Sequence, residues 1–257
     1  MGLMSGKVAV VFGVANHRSI AWSIAQVLAS EGSALVFCAQ QRVVPEVRKL
    51  ANTIGSDEIY ACDVGNDVDI PSVFHKLGER HGGIDAVVHS LAFANREDIS
   101  GKRFVEVSRE GFQLALDISV YSLAFIAREA EPFLKARGGG SIVTLSYLGS
   151  ERVVPNYNIM GVAKAALECS VRYLAYDLGL SQIRVNAISA GPQRTLSARA
   201  ISGFHDIERI VSEQAPLRRN VSGVDLGNAA LYLLSDLGKS VTGQVLHVDA
   251  GYSIMAI

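Results

Sequence analysis

Short apolar runs of strand length recur along this chain, and helical patterns separate them. Residues 7–12 (KVAVVF) and 34–39 (ALVFCA) are continuous apolar runs, which are typical of strands buried on both faces of a parallel sheet. Further runs of strand length span residues 58–62, 85–89, 142–145, 183–188 and 244–248. The alternation of strands with helices predicts right-handed crossovers and a doubly wound α/β sheet.

Helical spacing of apolar residues fills the intervals between these runs. It predicts helices over residues 19–30, 44–54, 68–80, 109–135, from 157 onward, and over 223–234. Residues 195–214 have little strand pattern and are predicted to form a helical flap. No repeat, low-complexity tract or linker interrupts the sequence, so we expect residues 1–257 to form a single domain.

The composition limits the classes of protein to consider. The 257 residues are 49% hydrophobic and 19% charged, which is typical of a well-buried, enzyme-like domain. A net charge of −1 without a basic block argues against nucleic acid as a partner. No uncharged apolar run approaches the roughly 18 residues of a membrane span, and the N-terminus lacks a signal-peptide layout. We therefore expect no membrane association and a cytoplasmic location. The cysteines Cys38, Cys62 and Cys169 are isolated and lack metal spacing, so we also expect no metal site.

Candidate ligand-binding residues follow the strands, because ligands of such sheets bind outside the carboxyl ends of the strands. These residues are Gly13, Gln40, Asp63, Val64, Ser90, Leu91, Ala92, Ser146, Tyr147, Gly191 and Pro192. The turn after the first strand lacks GxGxxG, so an ordinary βα turn remains an alternative to a nucleotide site. Gly13 nevertheless allows close backbone approach, and Ser19 with the free amides at the helix start can bind a pyrophosphate.

Two of these positions bear on the choice of cofactor. Gln40 lies at the end of the second strand, where an acidic residue usually selects NAD and a basic residue usually selects NADP. Gln40 is neutral, and the basic residue Arg42 follows two positions later. The residues alone leave that choice open. Asp63, with Val64, could contact an adenine edge, or Asp63 could cap the next helix, and both interpretations stay open.

A phenol and a lysine lie seven residues apart after the fifth strand. On one face of the predicted helix, Tyr157 and Lys164 are about 10 Å apart along the axis. A cation beside a phenol favours the phenolate, which suits a proton donor or a group that stabilises an oxyanion. A second phenol, Tyr147, follows the strand. Taken alone, a pair at this spacing is more often a half-buried aromatic residue and a solvated helix charge.

Longer stretches of the chain resemble one known family. They are GVANHRSIA (13–21), HSLAFA (89–94), LSYLG (145–149), YNIMGVAK (157–164) and RVNAISAGP (184–192). Together they resemble the bacterial enoyl-acyl-carrier-protein reductases, a divergent branch of the short-chain dehydrogenase/reductase family, over essentially the whole chain. The Tyr-x6-Lys spacing is specific, because ordinary members of the wider family place the lysine four residues after the tyrosine.

The resemblance implies a seven-stranded parallel Rossmann sheet, a homotetramer, and NADH-dependent reduction of a trans-2-enoyl thioester in fatty-acid elongation, with NADPH the less expected cofactor. Tyr157 is then expected to hydrogen-bond the thioester carbonyl, Lys164 to hold the nicotinamide ribose, and Tyr147 to line the acyl pocket and join the proton path. Further substrate contacts are expected from Ala94, Met160 and Phe204. Expected cofactor contacts are Gly13, Ser19, Ile20, Gln40, Asp63, Val64, Ser90, Leu91, Lys164, Gln193, Arg194, Thr195, Leu196 and Ser197.

The chain departs from the family pattern at three places. Gln193 replaces an apolar residue beside the nicotinamide and is expected to make the pocket more polar, and Ala92 replaces a glycine and is expected to narrow it. The flap has Ser202, His205 and Asp206 where the family has basic residues that dock the acidic carrier protein; Arg199 and Arg209 remain nearby.

Two other functions remain as alternatives. One is a related short-chain reductase that acts on an enoyl group carried by coenzyme A, or on a keto substrate. The other is a catalytically silent nucleotide-binding scaffold, against which the presence of both Tyr157 and Lys164 argues. The substrate is accordingly expected on acyl carrier protein or coenzyme A.

Overall fold

The structure, a computed structural model, describes residues 2–99, 101, 103–196, 198 and 203–256. Within these residues seven strands form one parallel sheet. The strands are β1 (Val8–Phe12), β2 (Ala34–Ala39), β3 (Ile59–Ala61), β4 (Ala86–His89), β5 (Gly140–Ser146), β6 (Ile183–Ala190) and β7 (Val245–Val248). Their order across the sheet is β3-β2-β1-β4-β5-β6-β7. The predicted doubly wound, seven-stranded parallel sheet is therefore confirmed.

Helices cover both faces of the sheet. In chain order they are α1 (Ile20–Ser30), α2 (Val44–Asn52), α3 (Asp69–His81), α4 (Arg96–Ile99), α5 (Arg109–Leu116), α6 (Ser122–Lys135), α7 (Ile159–Gly179), α8 (Phe204–Gln214) and α9 (Gly223–Leu234). Successive strand residues point to opposite faces, so β1 contributes Val10 to one hydrophobic core and Val11 to the other. The first core lies against α3, α6 and α7, and the second against α1, α2 and α9.

The predicted helix over residues 109–135 contains a π-helical turn, Asp117–Tyr121, between α5 and α6. The predicted long helix is therefore present with these bounds, and such π turns within helices often occur at functional sites. The helical stretch Arg109–Lys135 is long enough to cross a membrane, and one 18-residue window within it is apolar enough, with a mean hydropathy of 1.2, by length and composition alone. However, Leu123 and Ile126 are completely buried in the first core, as in the core helix of a globular fold.

Two element boundaries differ from the sequence prediction. Helix α7 begins at Ile159, so Tyr157 lies in the turn before it rather than on the helix. The reason is Asn158, whose φ of 40° is outside the helical region. In the predicted flap, α8 occupies Phe204–Gln214, while residues 197 and 199–202 lie outside the described residues. Treating residues 1–257 as one domain with a flap over 195–214 remains our proposal.

Candidate active site

The strand order places a cleft between the carboxyl ends of β1 and β4. The chain leaves β1 toward β2 on one side and reaches β4 on the other, which makes this the switch point where doubly wound sheets bind ligands. Gly13, with φ of 101°, lies directly after β1. A Cβ at this position would be 2.1 Å from the Ser90 carbonyl oxygen, so only glycine allows the turn to approach β4 this closely. Two predicted cofactor residues, Gly13 and Ser90, are thus brought together.

The turn after Gly13 is shaped by the buried Ser19 side chain. Its hydroxyl oxygen accepts hydrogen bonds from the backbone N–H groups of Ala15 (3.0 Å) and Asn16 (3.2 Å). Helix α1 begins at the next residue, Ile20, so its first-turn N–H groups lie at the mouth of the cleft. This geometry suits an anion such as a pyrophosphate at the helix N-terminus. Ser19 therefore fixes the shape of the loop, and its contact with a pyrophosphate stays a prediction.

A polar cluster links the ends of β2 and β3. The Gln40 side-chain N–H donates to an Asp63 carboxylate oxygen (3.2 Å), and the Arg42 guanidinium donates to the side-chain oxygen Oε1 of Gln40 (3.1 Å). Asp63 also accepts a hydrogen bond from the backbone N–H of Gly65 (3.1 Å). Helix α3 starts at Asp69 and its N-cap is Val68, so the alternative that Asp63 caps this helix is wrong.

The two phenols that the sequence singled out are in direct contact. The rings of Tyr147 and Tyr157 meet edge to face, with centroids 5.1 Å apart and an interplanar angle of 73°. Both belong to a third hydrophobic cluster at the carboxyl end of the sheet. Among the residues predicted to contact substrate or cofactor, that cluster also includes Ala92, Ala94 and Met160.

Burial controls the protonation of these phenols. Burial raises the pKa of Tyr157 well above its usual value, and Tyr147 and Glu168 raise it further. Burial, and secondarily the neighbouring Tyr252, raises the pKa of Tyr147 to about 12. The pKa of Tyr157 therefore shifts in the direction opposite to the one that a neighbouring cation would give, and desolvation is the largest cause. Both phenols remain protonated at neutral pH and can donate hydrogen bonds.

Lys164 is a buried cation on α7 and not a solvated helix charge. Its side chain is 5% exposed, and Nζ donates a 2.6 Å hydrogen bond to the carbonyl oxygen of Leu145. Burial lowers the pKa of Lys164 to about 8, and the Glu168 carboxylate opposes that shift. The ammonium has three donors and the Leu145 carbonyl accepts one of them, so further hydrogen bonds to a ligand are available.

The loop after β6 holds the other predicted cofactor contacts. The Gln193 side-chain amide donates to the carbonyl oxygens of Pro192 (3.1 Å) and Val221 (2.6 Å), so its N–H groups are bound to backbone and add less polarity to the pocket than we expected. The Thr195 N–H donates to the Gln193 carbonyl oxygen (2.7 Å), which curves the loop. Leu196 is 56% exposed, and Ser197 lies outside the described residues.

An ion pair joins this loop to the flap. Arg194 Nε lies 2.8 Å from both carboxylate oxygens of Glu208 on α8, and that carboxylate is mostly buried. Phe204, the first residue of α8, is half-buried. A cavity of about 400 Å³ lies between α8, the loop after β5 and the C-terminal residues. Its lining includes Tyr147, Val154, Ile207, Ile210, Tyr252 and Met255.

Sequence reasoning missed two residues that shape the site. The Ser119 hydroxyl, in the π turn, accepts a hydrogen bond from the Phe93 N–H (3.0 Å) and donates one to the Phe93 carbonyl (3.2 Å), fixing the loop after β4. Glu168 is a buried carboxylate one helical turn beyond Lys164, bonded to Ser146 and Ser150. Its position among the buried apolar residues of α7, four residues after Lys164, is the signal that could have identified it.

The geometry agrees with a comparison to known families. The family model described as enoyl-(acyl carrier protein) reductase matches residues 13–253, which include every strand-end residue discussed above. This chain belongs to that family. It is 51% identical to the NADH-type enoyl-[acyl-carrier-protein] reductase of Bacillus cereus over 258 residues, covering 99% of this chain and 100% of the relative. It is also 51% identical to the NADPH-type enzyme of Staphylococcus aureus over 252 residues, covering 97% of each chain.

A solved structure extends this similarity to three dimensions. The crystal structure of the Bacillus cereus enoyl-acyl carrier protein reductase, with NADP+ and indole naphthyridinone, superposes with a TM-score of 0.97 at 50% identity, covering 100% of both chains. The family predicted from the sequence motifs is therefore confirmed.

Proposed function

We infer that this reductase-family protein reduces the trans-2 double bond of enoyl thioesters in fatty-acid elongation, using NADH. The observation that supports this most directly is the buried group formed by the contacting phenols Tyr147 and Tyr157 and by Lys164, beside the switch-point cleft. A nucleotide-binding scaffold without activity has no use for a buried cation and a protonated phenol at this place, because burying each is costly.

Tyr157 is the group that we propose to stabilise the transition state. Because burial keeps its phenol protonated, the hydroxyl can donate a hydrogen bond to the thioester carbonyl oxygen as negative charge develops there. The dinucleotide supplies the hydride when it is bound. Tyr147, in contact with Tyr157, lines the acyl side of the site. It can belong to the path that delivers a proton to the α-carbon of the enolate. Lys164 contributes positive charge and hydrogen-bond donors for ribose hydroxyls.

The residues present fit a dinucleotide. A Cβ at Gly13 would clash with the Ser90 carbonyl, so glycine lets this turn pack closely against β4, and the free N–H groups of the first turn of α1 follow it at the same end of the sheet. The residues that we propose to hold the cofactor are Gly13, Ser19, Ile20, Gln40, Asp63, Val64, Ser90, Leu91, Lys164, Gln193, Arg194, Thr195, Leu196 and Ser197. Substrate contacts are proposed for Ala94, Tyr147, Tyr157, Met160 and Phe204.

The strand-end cluster favours NADH over NADPH. Gln40 lies 3.2 Å from the Asp63 carboxylate, which would repel the 2′-phosphate of NADPH. The Arg42 guanidinium is the nearby positive group, and it already donates to Gln40. The relatives named above include an NADH-type and an NADPH-type enzyme, so membership of the family alone does not decide between the two cofactors.

We further propose a homotetramer located in the cytoplasm. Helix α7 and its C-cap residue expose an apolar stripe at helical spacing: Val162 (37% exposed), Tyr173 (70%), Tyr176 (85%) and the C-cap Leu180 (97%). A stripe of this size on one helix face suits burial against another copy of the chain. Light scattering coupled to gel filtration, on wild type and on Tyr176→Asp, tests this: a monomeric wild type contradicts the proposal.

A spectrophotometric assay tests the function. NADH consumption is followed with crotonyl and longer enoyl thioesters on acyl carrier protein and on coenzyme A, and with β-ketoacyl thioesters as the comparison. We expect turnover with the enoyl thioesters. Turnover only with ketoacyl thioesters would instead support a ketoreductase, and NADH binding without turnover of either would support the silent scaffold.

A further inference from the structure

A buried carboxylate beside the active site takes no part in the proposed chemistry. Glu168, on α7, is 7% exposed. Its Oε1 accepts a hydrogen bond from the Ser150 hydroxyl (2.7 Å) and another, short one from the Ser146 hydroxyl. Burying a carboxylate is costly unless it is well hydrogen-bonded, so a residue at this place calls for a functional reason.

The two serines bracket the loop that holds Tyr147. Ser146 ends β5, Tyr147 follows it, and Ser150 ends the short 3₁₀ turn Leu148–Ser150. The Ser150 hydroxyl oxygen also lies 3.0 Å from the Tyr147 carbonyl oxygen, so its single proton is shared between that carbonyl and Glu168. Both ends of the Tyr147 loop are therefore bound to one carboxylate oxygen on α7.

The same loop also fixes Tyr157. A Cβ at Gly149 would lie 2.4 Å from a ring carbon of Tyr157, so the loop backbone packs directly against this phenol. A displaced loop would move both phenols, whereas the Gly13 turn and the Gln40 cluster belong to other elements.

We propose that Glu168 is a positioning residue, which holds the Ser146–Ser150 loop against α7 and thereby keeps Tyr147 and Tyr157 in place for the reaction. This inference rests on the proposed reductase activity. Glu168 itself is not proposed to contact substrate or cofactor. Glu168 acts through the two serine hydroxyls and the loop between them.

Two substitutions separate the hydrogen-bonding role from the charge. Glu168→Leu removes both the charge and the acceptor, while Glu168→Gln removes the charge but keeps an acceptor oxygen for the serines. Any effect through the charge on nearby Lys164 is therefore shared by both variants. We expect Glu168→Leu to lower kcat with an enoyl thioester about a hundredfold, since small misplacements of reacting groups cost about that much. Glu168→Gln is expected to recover most of that loss, and the NADH Kd, measured by fluorescence titration, is expected to be similar in both variants.

A second pair of variants controls for stability. Glu58 is also a buried carboxylate (8% exposed), bonded to Tyr60 and His81 beside β3, away from the phenols. Glu58→Leu is expected to lower the melting temperature without lowering kcat. If Glu168→Leu does not fold, the double substitution Ser146→Ala with Ser150→Ala removes the same two hydrogen bonds and is expected to lower kcat with the NADH Kd retained.

The outcomes are distinct from those that test the function itself. A wild-type protein that does not reduce enoyl thioesters contradicts the proposed function. An active wild type overturns the positioning role if the serine double variant keeps full kcat, if Glu168→Leu does so, if Glu168→Gln fails to improve on Glu168→Leu, or if Glu58→Leu loses as much kcat.

Discussion

Replacing Lys164 by methionine is expected to make the folded protein more stable while impairing its function. Burial lowers the pKa of Lys164 from 10.5 to about 8, which means that the charged side chain destabilises the folded state at neutral pH. One pKa unit corresponds to about 1.4 kcal/mol, so this cost is roughly 3 kcal/mol. Methionine has a similar length and no charge, and therefore removes the cost. It also leaves the Leu145 carbonyl without its 2.6 Å hydrogen bond, which costs about 1–2 kcal/mol.

The net expectation is that Lys164→Met raises the free energy of unfolding by about 1–2 kcal/mol at pH 7. The pH dependence of the free energy of unfolding tests the sign of this difference separately. The folded-state pKa of about 8 lies below the unfolded value of 10.5, so the unfolded wild type binds more protons between these two values. The stability of the wild type therefore rises relative to the variant across that window by about 1.4 kcal/mol per pH unit, and the advantage of the variant should disappear at about pH 9.

Urea unfolding at fixed protein concentration, at pH 7, 8, 9 and 10, measures this difference. Lys135→Met is the matched control, because its side chain is 55% exposed and its pair with Glu131 is at the surface; an exposed pair of this kind contributes about 1 kcal/mol at most. A Lys164→Met variant that is less stable than wild type at pH 7, or whose advantage is the same at every pH, refutes the reasoning. The same variant is expected to bind NADH more weakly, as a fluorescence titration would show.

Three further predictions concern turnover. Tyr157→Phe removes a hydrogen-bond donor to charge that develops only in the transition state, so kcat with an enoyl thioester should fall about a hundredfold with NADH affinity retained; an unchanged kcat would exclude this role. NADH is expected to give the higher kcat/KM than NADPH because of the carboxylate beside Gln40. If NADPH proves equal or better, the effect of Arg42→Ala on NADPH turnover shows whether Arg42 is the cause. Because Arg209 is shared between Asp206 and Glu213, the flap offers little attraction to an acidic carrier. KM for one enoyl chain on carrier protein and on coenzyme A, at two salt concentrations, should differ by less than about a hundredfold; a larger preference that collapses with salt would mean that a basic docking surface exists elsewhere.

The charge balance of the flap changes once its pairing is known. Glu208 is one of the acids of the flap by sequence, but its carboxylate is mostly buried and paired with Arg194. Two further basic residues follow α8: Arg219 lies 2.9 Å from the Asp225 carboxylate, whereas Arg218 donates to the backbone carbonyl of Glu213, a bond that leaves its charge in place. Sequence alone lists charges, whereas attraction at a distance depends on the charges that remain unpaired.

The central strands could be predicted because they are buried on both faces. Every residue of β1 is buried, so its sequence is one apolar run. Strand β3 is shorter than expected because it lies at the sheet edge, where only Ile59–Ala61 pair with β2 and all three residues are partly exposed or exposed. The strand-end residues followed from the fold class, since parallel strands present their carboxyl ends together.

The interactions within the site could not be predicted in the same way, because they join residues that are distant in sequence. Gln40 and Asp63 are 23 positions apart, and Ser146 and Glu168 are 22 apart. The direction of the Tyr157 pKa shift also could not be predicted, since residue spacing does not show how much water the fold removes.

The attachment of α7 to β5 sets a limit on how this segment can change in evolution. Lys164 bonds to Leu145 and Glu168, one helical turn later, bonds to Ser146, so two consecutive strand residues are each tied to the helix. A single inserted or deleted residue between Lys164 and Glu168 would rotate one of them about 100° away from the strand. Substitutions can therefore accumulate between these two positions, but the number of residues that separates them has to be inherited unchanged.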